Sequence, residues 1–259
     1  MLGVISGIGS FYHVGATNGL KTLSVTPSAI GDCFIFGCTL GSGTLTAISG
    51  GGVTTWTKLV GPFSPTGYSA ASTQLWLGPI TATGSQTITI TGTLTSTNRL
   101  VAKQFTAGGG ANTVWLADGS GGTKETDSTA STNTPFATLV PSAPQRLYVG
   151  YGPVGTTATT SGQTSGYTVQ TDDGTNPYIW NPNVTTSQSP NVIQASAGHS
   201  TNVSALVYAL VPPYGAFMPF FGMGHNEDTL EQRPNGLYVQ RRKLAGIRPN
   251  GGSRVLARA

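Results

Sequence analysis

Apolar and polar residues alternate in short runs along this chain, and glycine, proline, asparagine or serine closes almost every run. The clearest is QTITIT at 86–91. There Ile88 and Ile90 point to one side and Thr87, Thr89 and Thr91 to the other, as in an antiparallel strand with one buried face. Other runs of strand type are KTLSV (21–25), DCFIFGCTL (32–40), TLTAI (44–48), TTWTKLV (54–60), STQLWLG (72–78), NRLVAKQF (98–105) and TVWLA (113–117). After a polar stretch rich in Gly, Ser and Thr come RLYVGYG (146–152), YTVQT (167–171) and NVSALVYALV (202–211). No segment before Pro212 keeps a helical period for three turns. The pattern predicts an all-β protein: a single antiparallel β-sandwich of jelly-roll type over 15–212, preceded by an N-terminal extension at 1–14. Pro212 and Pro213 end the last strand, because proline has no N–H to give a sheet ladder.

Beyond them the pattern changes. YGAFMPFFGMG (214–224) sets Phe217, Met218, Phe220, Phe221 and Met223 among glycines and prolines, too broken for a core element and too apolar for a solvated linker. In NEDTLEQRPNG (226–236), Asp228 and Glu231 have capping-box spacing, which predicts one helical turn stopped by Pro234. The basic stretch GLYVQRRKLAGIRPNGGSRVLARA (236–259) follows. The segment 213–259 is therefore expected to be an extended, mostly irregular arm.

Charge sharpens this division. Up to Val211 six Lys/Arg balance six Asp/Glu, whereas the rest of the chain holds seven basic and three acidic residues, so the net +4 lies in the arm. Charged residues are 8% of the chain, against roughly a quarter in ordinary soluble proteins. Hydroxyls and backbone must hydrate such a surface, which suits a subunit of a large assembly or an extracellular protein. The apolar content of 37% argues against a disordered body. The start, MLGVISGIGSFYHVG, has no basic region before its interrupted apolar residues, so no signal peptide is expected. No apolar stretch reaches the roughly 18 residues of a membrane span, and no membrane partner is expected.

Candidate chemistry is sparse. Cys33 and Cys38, if on one strand, face opposite ways about 16 Å apart. A disulfide needs Cα atoms within about 7 Å, so two buried thiols are expected. No Gly-x-Ser-x-Gly elbow with its acid and histidine, and no phosphate-binding Gly-Lys-Ser/Thr, occurs. TDDGTNP (171–177) offers Asp172, Asp173 and Asn176 either to a calcium ion or to an Asp-Gly turn. GHNED (224–228) groups His225, Glu227 and Asp228 as an exposed turn or a poor metal site. Neither a catalytic residue nor a cofactor is assigned. Trp56 and Trp76 read as core, while Tyr178 and Trp180 in NPYIWNPN are candidate glycan contacts, since aromatic rings in loops stack on sugars.

The order GDCFIFGCTLGSGTLTAISGGGVTTWTKLVGP, TQLWLGPITATGSQTITIT, RLVAKQFTAGG, RLYVGYGPV, VSALVYALVP, covering about 30–212, resembles minor tail proteins of siphoviruses infecting actinobacteria. The resemblance implies a β-sandwich module of a virion and a non-enzymatic, structural role, in the tail or as capsid decoration. It does not extend past Pro212. A carbohydrate-binding module recognising host envelope glycans is the alternative.

For the arm, docking onto a partner virion protein or onto another copy of this chain is expected. Its basic residues are too dispersed for a nucleic-acid groove. Phe217, Met218, Phe220, Phe221 and Met223 would anchor it, and Arg241, Arg242, Lys243 and Arg248 would set its register. Burying two Phe side chains offers roughly 3–6 kcal/mol before ordering costs.

Overall fold

The computed structural model describes residues 1–64, 72–94, 97–125, 131–154, 159–172 and 175–212, together with the backbone of two later strands. The chain divides into two units, Met1–Pro212 and Pro213–Ala259. The first half of the first unit contributes β1 (Ser6–Asn18), β2 (Thr22–Val25), β3 (Cys33–Leu40), β4 (Gly43–Gly50), β5 (Thr57–Phe63), β6 (Ser72–Pro79), β7 (Gln86–Leu94) and β8 (Thr97–Thr106). The second half contributes β9 (Val114–Ala117), β10 (Gly122–Glu125), β11 (Ser131–Pro135), β12 (Arg146–Tyr151), β13 (Thr160–Gln163), β14 (Thr168–Asp172), β15 (Asn176–Val184), β16 (Asn191–Gly198) and β17 (Thr201–Leu210).

The fold is all-β with antiparallel sheets packed together. The sandwich is deeper than one pair of sheets. Two inner sheets, in the orders β1-β8-β3-β6-β5 and β10-β17-β12-β15-β14, face each other, and β9 pairs with β17 beyond the end of β10. Cys33, Ile35, Leu75, Leu77, Val101 and Phe105 of one inner sheet meet Leu147, Val149, Tyr151, Tyr178, Val203 and Val207 of the other. A three-stranded sheet, β2-β7-β4, covers the outer face of the first through Leu23, Val25, Ile88 and Ile90 against Phe34, Phe36, Cys38 and Leu100. Another, β11-β16-β13, covers the second, where Val192 and the adjoining Phe136 pack with Tyr148, Ile179 and Leu206.

This layering accounts for the sequence of β3. Every residue of CFIFGCTL is buried because the strand is covered on both faces, so apolar residues need not alternate. Phe34, Phe36 and Cys38 share the outer face, and Cys33 faces the centre. Both thiols are free and buried.

The two halves share one winding. Raising each strand number by nine converts β1-β8-β3-β6-β5 into β10-β17-β12-β15-β14, and β2-β7-β4 into β11-β16-β13. Each half is thus an eight-stranded jelly-roll path with its fifth strand beside its sixth. Detail repeats as well as topology. β8 and β17 both begin Thr-Asn and run for ten residues. Asn98 donates through Nδ2 to Leu20 O at 3.1 Å, just before β2, and Asn202 donates to Pro135 O at 2.6 Å, at the end of β11. Both asparagines are fully buried. In each half this amide ties the last inner strand to the first strand of the cover.

Two expectations are corrected. Residues 1–14 are no extension: β1 pairs along β8, Leu2 bridges Leu210, and Met1 N donates to Val211 O at 2.9 Å. β1 was hard to read because register shifts between Ile8 and Phe11 and between Val14 and Thr17 break its parity. Phe11 consequently packs toward the centre while Tyr12 and Val14 pack outward. The helical turn expected around Asp228–Glu231 is instead a strand, β18 (Thr229–Gln232), paired with β19 (Tyr238–Arg241). The intervening Arg-Pro-Asn-Gly sequence has turn chemistry, and a capping box without an amphipathic run after it has no helix to start.

Candidate functional site

Strand β15 carries the two candidate glycan contacts, and it lies inside the inner sheet between β12 and β14. Tyr178 is fully buried, donating its hydroxyl to Ile35 O across the central interface at 3.0 Å. Trp180 is 7% exposed, edge-on to Phe105 at 6.2 Å, with Lys103 Nζ 5.4 Å from its ring centre. Neither ring can receive a sugar, which corrects the expectation. The flanking prolines suggested a loop, yet Pro177 is the second residue of the strand. Pro182 falls where the β12–β15 register shifts, so both occupy positions a strand tolerates. Trp56, just before β5, and Trp76, in β6, are half-buried and pack against the outer core, so the core expectation holds only in part.

Of the docking-arm residues, Arg241 ends β19, while Phe217, Met218, Phe220, Phe221, Met223, Arg242, Lys243 and Arg248 lie outside the described residues. His225, Glu227, Asp228 and Asp173 lie outside them too.

Three buried polar groupings went unforeseen. The first joins the two halves. The Asp172 carboxylate, fully buried at the end of β14, accepts from Asn176 Nδ2 at 2.6 Å, Asn176 N at 3.2 Å and the Tyr151 hydroxyl at 3.0 Å. Arg99 Nη1 of β8 approaches it to 3.6 Å and is one-quarter exposed. Burial pushes this carboxyl above its ordinary range, and Arg99 and the hydrogen bonds only partly offset the effect. Asn176 also pairs with Asp172 across the β14–β15 connection, where Thr175 N donates to Asp172 O at 2.9 Å and the Asp172 carboxylate is occupied, while Asp173 and Gly174 lie outside the described residues.

The second grouping locks the approach to β12. Asp118 accepts from the Ser142 hydroxyl and from the Ser142 N–H at 2.9 Å, and forms an ion pair with Arg146, whose Nε lies 3.0 Å away. Arg146 also donates to Pro144 O and Ser142 Oγ, both at 3.2 Å, and lies 4.3 Å from the Tyr208 ring centre. Burial alone would raise the Asp118 carboxyl, but the Ser142 and Arg146 interactions outweigh it and hold the group below its ordinary value. In the third, Lys103 donates to Gly9 O at 2.9 Å beside Trp180, and burial lowers its ammonium pKa.

Each of these charges is spent on other groups of the fold. Ser142 donates its hydroxyl to Asp118 and accepts from Arg146, an arrangement that clamps the turn before β12. Among the described residues, no three of His, Cys, Asp and Glu are placed to hold a metal ion, and no helix is long and apolar enough to cross a membrane. The clue to the clamps was scarcity: in a nearly uncharged body, each of the few charged residues warrants a search for its partner.

Neither protein-family models, curated proteins nor solved structures give a match to this chain.

Proposed function

We propose that this chain is a non-enzymatic structural subunit of a bacteriophage particle, a minor tail protein, assembled in the host cytoplasm. It joins its neighbours, other virion proteins or further copies of itself, through subunit contacts and the arm at 213–259. One observation carries the reading. The runs on which the viral resemblance rests, DCFIFGCTL, TQLWLG, RLVAKQF, RLYVGY and VSALVYAL, coincide with β3, β6, β8, β12 and β17, the strands that build the central layers. The motifs are thus bound to the framework, as a shared building block requires. The separate C-terminal unit carries the net positive charge and the aromatic run suited to gripping a neighbour.

The test is to locate the protein in purified particles by mass spectrometry and electron microscopy with a specific antibody. Tail labelling is the expected result. Labelling of the capsid shell would reassign the subunit to capsid decoration, and absence from particles would overturn the proposal. Deletion of 213–259 should leave a folded body that no longer enters particles. Full incorporation of the truncated chain would remove the arm from the assembly mechanism.

A further inference from the structure

The second half has an opening between two sheet edges. β13 is the margin of the outer cover and β14 the margin of the inner sheet. Between them lies a cleft of about 340 Å³, lined by Thr159, Thr160, Gln163, Val169, Gln170 and Thr171. That volume falls at the small end of the range for ligand sites, about 300–1,000 Å³.

The lining has a narrow chemistry. Five of its six side chains carry a hydroxyl or an amide, and none carries a charge. Two of the lining groups, Thr160 Oγ1 and Gln170 Oε1, are buried acceptors with no hydrogen-bond partner. Gln194, the β16 partner of Thr160, is 1% exposed and also holds an unpartnered Oε1. Buried polar groups without partners are uncommon, and two in one lining with a third on the neighbouring strand are a concentrated unmet demand for donors.

Among the described lining residues an anion or a cation finds no countercharge, and an apolar ligand would strand these oxygens further. A molecule with several adjacent hydroxyls meets the requirement. Each hydroxyl donates to one group and accepts from another, as side-chain amides do in return. Val169 supplies an apolar contact for a C–H face.

We propose that this cleft binds a neutral hydroxylated ligand, the end of an oligosaccharide chain. The site is distinct from the buried Tyr178 and Trp180 and does not depend on the assembly role proposed above.

The test uses the full-length chain labelled for amide NMR and a panel of neutral gluco-, manno-, galacto-, arabino- and chito-oligosaccharides at millimolar concentration, with glycerol as control. At least one sugar should saturably shift amide resonances within 159–171. Gln170→Ala should weaken that binding by about tenfold or more. Gln163→Ala, at an exposed position where folding is not at stake, should weaken it as well. Three results would each overturn the proposal: no sugar moving these resonances, glycerol moving them equally, or binding that both variants leave unchanged.

Discussion

Replacing Asp118 by Asn removes one charge from the clamp before β12 and leaves its shape. Arg146 is 7% exposed and Asp118 6% exposed by side chain, so water can do little to replace the lost partner. Removing one member of a buried pair costs about 3–5 kcal/mol. Arg146 keeps its bonds to Pro144 O and Ser142 Oγ and its place over Tyr208, which argues for the lower end, about 3 kcal/mol. With a urea dependence of about 2–3 kcal/mol per molar, the unfolding midpoint should fall by about 1 M. The double variant Asp118→Leu with Arg146→Met removes both charges and should recover much of the loss, since apolar replacement of a whole buried pair is often neutral. Acid gives an independent reading. The folded carboxyl titrates below its unfolded value of about 3.9, so its contribution is complete above that pH and is lost as pH falls through the lower, folded value. Asp118→Asn should flatten that acid limb of the midpoint-against-pH curve. A single variant as stable as the parent, or a double variant no better than the single, would refute the account of the clamp.

Other expectations follow from the packing and the remaining buried groups. Cys33 and Cys38 should resist a thiol reagent at pH 8 in the folded protein and both react after denaturation without reductant, because burial raises both thiols, Cys38 to about 12; reaction in the native state would contradict this. Gly150→Ala sets a methyl 2.5 Å from Phe136 Cδ1, an overpacking that should cost about 1–3 kcal/mol and lower the melting temperature by several degrees. Because burial raises the folded Asp172 carboxyl, its ionisation weakens the fold once pH rises above the unfolded value of about 3.9 and through the folded one. Stability of Asp172→Asn relative to the parent should therefore improve as pH rises above about 4, and a difference independent of pH would refute the assignment. Asn98→Ala and Asn202→Ala should each cost about 1–3 kcal/mol by stranding a backbone carbonyl, and their effects should add, having no shared partner; a silent member of the pair would break the equivalence of the halves.

What could be read in the sequence depended on burial. β3, β6, β8, β12 and β17 are covered on one or both faces by other layers, so their positions demand apolar residues and the runs are conspicuous. The strands that escaped notice make fewer demands. β11 and β13 are built almost wholly from Gly, Ser, Thr, Gln and Asn, β10 reads Gly-Thr-Lys-Glu and only half of β16 is aliphatic, and β10, β11 and β13 are sheet margins with one neighbour. Their pairing rests on backbone bonds that any residue but proline can make. β15 was obscured differently, by two prolines in permitted positions. The polar clamps were illegible because Asp118 and Ser142, or Arg99 and Asp172, become neighbours only through the sheet order.

The repeat explains why a body with so little charge can bury so much. A single jelly roll has two sheets and one interior, and its outward faces must be polar. Here the inner sheet of each half has a second face, and the halves turn those faces toward each other. One set of central contacts, Ile35 and Val101 against Leu147, Val149 and Ala205, then serves both. Apolar residues can occupy both faces of β3 and β8 in one inner sheet and of β12 and β17 in the other without reaching solvent, and the outward faces of the covering sheets are left largely to small and polar residues. Arg99 with Asp172, and Tyr178 with Ile35 O, fix the register of one half on the other where apolar contact alone would permit sliding. Stability therefore resides in the centre, beneath a hydroxyl-rich exterior.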